Sequence, residues 1–184
     1  MNRCLITYEP CEGRRYSQKG LNQLSPRLTE LHAFSYSAEQ LRKEAVIRMV
    51  KMSIQGMQPK LSARLDVKNG IFRMIDTNGR VIIKPAHATY PALPENEALS
   101  MQLARLCGIE VPVCGLVTCA DGSLAYFIRR FDRVGQKGKI PVEDFAQLAG
   151  LSRETKYNYS HEKLISILDQ YCTFPALEKV ELFK

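Results

Sequence analysis

The run Val81-Ile82-Ile83-Lys84 ends an apolar, β-branched strand on a single lysine, and Glu95-Asn96-Glu97-Ala98-Leu99 then opens a helix with a carboxylate near its start. Branched side chains suit the pleated surface of a sheet, so the first run reads as a strand. A lysine at a strand end is held nearly fixed, and an acid on the next helix can reach back to it. The frame that surrounds these two stretches decides the fold.

On the N-terminal side, two Asn-Gly pairs, Asn69-Gly70 and Asn78-Gly79, separate strand-like runs at Leu61–Val67, Ile71–Asp76 and Arg80–Lys84. Asn-Gly suits tight hairpin turns because both residues tolerate positive φ. Ala63, Leu65 and Val67 alternate with polar neighbours, as in a half-exposed strand. An antiparallel meander is expected. It follows a polar loop, Ser53-Ile54-Gln55-Gly56-Met57-Gln58-Pro59-Lys60. Further upstream, Ser37 with Gln40 forms a capping-box pattern at the start of a helix whose Leu41, Ala45 and Arg48 share one face. Residues 2–8 read as a short strand ended by Pro10, and residues 13–19 as loop.

On the C-terminal side, Pro85 is expected to stop the third strand, and residues 88–94 form a proline-marked loop. The helix should run from about Glu95 to Cys107 and end at Gly108. Leu99, Leu103 and Leu106 lie on one face of it, with Met101 and Ala104 nearly opposite. A helix apolar on two sides should be sandwiched. Glu97 falls on the Met101 side, where a partly buried carboxylate wants a cation. Strands follow at about residues 111–119 and 124–131, with a turn at Asp121-Gly122. After the linker Gly135 to Gly138, Val142–Leu151 reads as a helix. Ser160 caps another helix, with an apolar stripe of Leu164, Ile167, Leu168 and Tyr171. The fold class is α+β: an antiparallel sheet with helices in residues 1–133, then helices in residues 134–184.

The chain has 184 residues and no apolar run near the roughly 18 that span a bilayer, and Met1-Asn2-Arg3-Cys4 opens no secretory pattern. A cytoplasmic protein with no membrane contact is expected. Six cysteines lie in apolar stretches without CxxC spacing, which reads as free thiols and not as a metal site. The net charge of +7 is dispersed, with no basic run of five and no zinc-finger or helix-turn-helix signature, so no direct nucleic-acid binding is expected.

The order of loop, strands, strand-end lysine, helix acid, two strands, linker and helices suits the holding of a nucleoside triphosphate. Loop N–H groups close over phosphates, a fixed cation meets the α/β-phosphates, and a carboxylate keeps that cation from wandering. The linker after the last strand, Arg130-Phe131-Asp132-Arg133, would offer its backbone to a base. Each feature also has a plainer reading. A lone glycine in a polar loop makes a turn, a strand-end lysine is often a solvated edge residue, and Glu97 suits a helix N-terminus. His87 and His161 read as surface or capping residues.

The string Ser53 to Leu61 resembles the Gly-rich loop of the HipA-type toxin kinases, with their G-x-Q-x-K core at Gly56, Gln58 and Lys60. The resemblance continues through Ile83-Lys84-Pro85, Leu93-Pro94-Glu95-Asn96-Glu97, Gly108 to Pro112, Arg130-Phe131-Asp132-Arg133 and Glu143 to Gln147. It implies a serine/threonine kinase of a bacterial toxin–antitoxin system, with the two-lobed protein-kinase fold and an aminoacyl-tRNA synthetase as the phosphorylated protein. Residues 1–133 would be the ATP-binding N-lobe and residues 134–184 the start of a helical C-lobe. ATP would meet Gln55, Gly56, Met57, Gln58, Lys60, Lys84 and Glu97, with the Arg130-Phe131 backbone on adenine. Ser53 matches a loop serine that the family autophosphorylates. The start of the chain is similar to that of the short HipT-type kinases, which implies a HipS-like small protein and a HipB-like DNA-binding antitoxin as partners. A second loop serine of those kinases is replaced here by Gln55. The family's N-x-D-x-H-x-K-N-F stretch, with its catalytic aspartate, and the later Mg²⁺-binding aspartate are absent from this sequence. Both are expected beyond Lys184, which would leave this chain without transfer activity of its own, or serving only as an antitoxin-binding module.

Overall fold

The computed structural model describes residues 2–48, 58–135, 138–152, 154–156 and 158–183. The chain is α+β and divides into two compact units, Met1–Lys137 and Gly138–Lys184. The first carries α1 (Gln18–Leu24), α2 (Ala38–Arg48), β1 (Leu61–Asp66), β2 (Ile71–Met74), β3 (Val81–Pro85), α3 (Leu93–Leu106), β4 (Cys114–Thr118) and β5 (Leu124–Arg129). The strands form one antiparallel sheet in the order β2-β1-β3-β5-β4.

That order corrects the meander. β3 pairs with β1, not with β2, through Ala63↔Val81 and Leu61↔Ile83. β2 ends opposite Ala63 and β3 begins there, on the other side of β1. The link between them therefore only has to cross β1, which a short segment can do because β3 starts where β2 stops. Ile75 N donates to Ser62 O and Arg80 N to Ala63 O, both at 2.9 Å, which stitches the crossing to the strand beneath. Gly79 lies against Ser62 so closely that a Cβ there would overlap the serine hydroxyl. Asn78-Gly79 is thus a crossing, with Asn78 at φ 57°. Asn69-Gly70 is a hairpin turn as expected, with Gly70 at φ 61°. Pro85 closes β3 instead of stopping it, because its register partner is Ala125 of β5 and β1 has already ended.

One face and one edge of the sheet are covered by the N-terminal segment. Ile83 and Phe127 pack there with Ile6, Leu28, Leu31 and Leu41. β4 is an edge strand, yet its groups are taken up. Leu116 N donates to Leu5 O (2.8 Å), Phe34 N to Thr118 O (2.9 Å) and Ala120 N to Tyr36 O (3.0 Å). Covering an edge in this way removes a template for unwanted pairing. Gly115 permits the approach, since a Cβ there would stand 2.6 Å from Leu5 O.

Residues 2–8 are not a strand. Cys4 N donates to Glu9 O (2.8 Å) and Tyr8 N to Cys4 O (2.9 Å), with Tyr8 at φ 60°, so the chain turns back on itself. The expected loop at residues 13–19 leads into α1, capped by Ser17 through Gly20 N. The capping box of α2 is formed, with Ser37 N donating to Gln40 Oε1 (2.8 Å) and Gln40 N to Ser37 Oγ (3.2 Å). Leu41 and Ala45 of α2 are buried, and Ala38 N donates to Asp121 Oδ2 (3.0 Å) in the β4–β5 turn.

α3 lies on the opposite face, where Ala98 packs with Cys114, Leu116 and Tyr126. It is not sandwiched among the described residues, since Leu99, Leu103 and Leu106 are 47%, 53% and 83% exposed. Gly108 ends the helix at φ 80°.

The second unit carries α4 (Phe145–Leu148), α5 (His161–Tyr171) and α6 (Pro175–Leu182). The helix expected over Val142–Leu151 is a single turn. The Asp144/Gln147 capping box starts it and Gly150 at φ 66° stops it. Ser160 caps α5 through Lys163 N as expected. Of its stripe, Ile167 and Leu168 are buried and Tyr171 is exposed. All six cysteines are free thiols, four of them buried. No helix among the described residues is long and apolar enough to cross a membrane.

Candidate active site

Lys84 is the fourth residue of β3, on the face that α3 covers. Its Nζ lies 2.6 Å from Glu97 Oε2, with the two side chains 25% and 22% exposed. A charge-assisted bond in this half-shielded position fixes the ammonium far better than a solvated pair would. Pro94 in the first turn and Ala98, 1% exposed, seat α3 so that Glu97 faces the strand. Ala98 lets the helix approach closely. Gln102 Nε2, on the same helix, donates to Ile6 O (2.7 Å) and ties α3 to the N-terminal loop.

A third member was not legible in the sequence. Tyr126 of β5 stands opposite Lys84 in the sheet, and its ring lies 5.6 Å from the ammonium. It is 1% exposed. Burial first, then the neighbouring Cys114 and Glu97, push its phenol far above the ordinary tyrosine range, so it stays neutral. The ring is a fixed shelf under the lysine and attracts it through the π face. In sequence, Tyr126 is one of a run of apolar residues, and only the β3–β5 register reveals it.

Of the expected loop, Ser53, Gln55, Gly56 and Met57 lie outside the described residues. Gln58 is described, and its Nε2 is a buried donor with no hydrogen-bond partner among the described residues. A phosphate oxygen is a group that such a donor could satisfy. Lys60, partly exposed, precedes β1 directly.

The residues expected to hold a base are arranged otherwise than Lys84 and Glu97. Arg130 Nε and Nη2 donate to the two carboxylate oxygens of Asp132 at 2.8 and 2.6 Å. Arg130 N donates to Arg80 O (2.8 Å), which holds the segment beside β3. Phe131 is 67% exposed. No hydrogen bond or ion pair joins Arg130 to Lys84 among the described residues. His87 accepts from Thr89 N (3.1 Å) in a surface turn, and His161 opens α5. Among the described residues, no three His, Cys, Asp or Glu side chains gather into a metal-ligand cluster.

The Arg130–Asp132 fork is a stability element with a definite pH signature. The Arg130 hydrogen bonds hold the Asp132 carboxyl below the ordinary carboxylate range. A depressed folded-state value contributes stability that is fully present above the unfolded value near pH 4 and is lost as pH falls through the folded one. Asp132→Asn leaves Arg130, 8% exposed, without its carboxylate. The substitution should lower stability at neutral pH by about 1–3 kcal/mol. Urea melts at pH 7 and at pH 3 should show the gap between parent and variant closing at the lower pH.

A family model, the HipA-like C-terminal domain, matches residues 52–184. The chain belongs to the HipA-like C-terminal domain family. The matched region contains the whole sheet, α3 and the second unit, whereas α1 and α2 precede it. A Haemophilus influenzae protein named "Putative kinase" is 28% identical over 201 residues, covering 100% of this chain and 57% of the relative. "Putative kinase Y4dM" of Sinorhizobium fredii is 34% identical over 141 residues, covering 69% of this chain and 34% of the relative. This HipA-like chain thus spans a little over half the length of one of these relatives and about a third of the other.

Proposed function

We propose that this chain is the ATP-binding portion of a HipA-type serine/threonine kinase, with residues 1–133 as its N-lobe and residues 134–184 as the start of its C-lobe. The observation that carries the reading is the Lys84–Glu97 contact of 2.6 Å, made between the third strand and the helix that follows it. Protein kinases use a lysine on the third strand, paired with a helix glutamate, to contact the α/β-phosphates. Here the ammonium is aimed by Glu97 on one side and by the Tyr126 ring on the other. Gln58, Lys60 and the loop before them would close over the phosphates, and the Arg130-Phe131 backbone would meet adenine. ATP supplies the phosphoryl group. Mg²⁺ would be held outside the described residues.

In the whole protein, this lobe would serve phosphorylation of a translation protein such as an aminoacyl-tRNA synthetase, within a toxin–antitoxin system of the short HipT type. HipS-like and HipB-like proteins would be its partners, and Ser53 its autophosphorylated residue. A second reading, a partner-binding module without catalysis, draws on the exposed leucine face of α3. Calorimetric titration with ATP separates the two, because nucleotide binding that depends on Lys84 belongs only to the first.

A further inference from the structure

The N-terminal segment forms a cavity of about 520 Å³ between residues 13–16 and 29–31, with Leu21 in its wall. That volume suits a small organic ligand. Its apolar wall is firm. Leu21, Leu31 and Tyr16 are only 4%, 5% and 7% exposed, and the Tyr16 hydroxyl donates to Leu116 O at 3.2 Å. The polar wall is cationic. Arg14 and Arg15 line it against the single carboxylate of Glu30.

The two guanidiniums are available in different ways. Arg15 Nη1 donates to the Thr118 hydroxyl, which fixes one end of its fork, and no carboxylate pairs with the rest of the group among the described residues. Arg14 has no hydrogen-bond or ion-pair partner among the described residues. Glu30, the nearest acid in the lining, lies instead 3.6 Å from His32. An arginine fork matches the oxygens of an oxyanion in planar geometry, and two arginines in one lining favour a dianion over a monoanion. All these lining residues precede residue 52, where the family match begins. The apolar ones pack with Ile83 and Phe127, on the other face of the sheet from Lys84. The cavity is therefore separate from the proposed nucleotide site.

We infer that this cavity binds a phosphate-bearing small molecule, with the phosphate between Arg14 and Arg15 and the organic part against Tyr16, Leu21 and Leu31. The test is an NMR titration of the whole chain with inorganic phosphate at constant ionic strength, with acetate and chloride as comparison anions. The expected result is saturable shifts at residues 13–16 and 29–31. Arg14→Ala should weaken them at least about tenfold, the loss expected when a charged hydrogen-bond donor is removed. Arg14 is exposed, so this variant should fold normally. Lys84→Gln should leave the shifts at residues 13–16 and 29–31 unchanged, which keeps the test independent of the nucleotide reading. Uniform shifts equal to those with chloride, or an undiminished response in Arg14→Ala, would overturn the inference. Acetate binding as tightly as phosphate would overturn the phosphate assignment.

Discussion

Lys84→Gln should weaken ATP binding by at least about tenfold while lowering the melting temperature only slightly. The amide keeps most of the length and polarity of the side chain but loses the charge. A hydrogen bond to a charged group contributes about 1.5–3 kcal/mol, a factor of roughly ten to more than a hundred in affinity. The loss should exceed that of the bond alone, because Glu97 then faces the triphosphate without its cation. The double substitution with Glu97→Gln should recover part of the loss, and Glu97→Gln alone should cost less than Lys84→Gln. Stability should respond weakly. The pair is 25% and 22% exposed, so its net contribution is on the order of 1 kcal/mol. Titration calorimetry beside thermal melts reads both quantities. Equal affinity in parent and variant would remove Lys84 from the site, and a parent chain that binds no ATP would remove the nucleotide reading itself.

The contrast between what the sequence showed and what it concealed follows from the range of each interaction. The capping box at Ser37, the cap at Ser160 and the positive-φ glycines at Gly70 and Gly108 were legible because each is settled within a few residues. The Lys84–Glu97 pair was legible because strand and helix periods place both groups on one face. The crossing at Asn78-Gly79 was not. Asn-Gly serves a hairpin as well as a passage over a strand, and only the proximity of Ser62 decides between them. α1 was concealed because residues 13–19 read as loop, and Gly20 is a weak helix former. A Cβ at Gly20 would stand 2.8 Å from Cys4 Sγ, so the glycine is there for packing and not for a turn. Tyr126 needed the β3–β5 register, and the cavity at Arg14 and Arg15 needed the approach of residues 29–31, which no local pattern encodes.

Phe127→Ala should do the reverse of Lys84→Gln, with a large loss of stability and little change in nucleotide affinity at temperatures where the variant remains folded. Phe127 is 0% exposed on β5, between β3 and β4. Its ring centroid lies 5.1 Å from that of Phe72, which is 6.2 Å from that of Phe34. These three rings join the sheet to the N-terminal segment, so the space left by alanine cannot be closed by moving one side chain. Truncating a buried phenylalanine costs about 3–5 kcal/mol, a large fraction of a domain stability of about 5–15 kcal/mol. Phe131→Ala, at a ring 67% exposed, should change stability by no more than about 0.5 kcal/mol and serves as the comparison. Urea unfolding followed by circular dichroism measures both. The site should be spared because Phe127 faces the N-terminal segment while its neighbour Tyr126 faces Lys84. A loss below about 1 kcal/mol would mean that the N-terminal segment is not held on the sheet by these rings. A loss of ATP affinity matching the loss of stability would mean that the two faces of β5 do not act separately, and the assignment of nucleotide holding to the Lys84 face alone would fail with it.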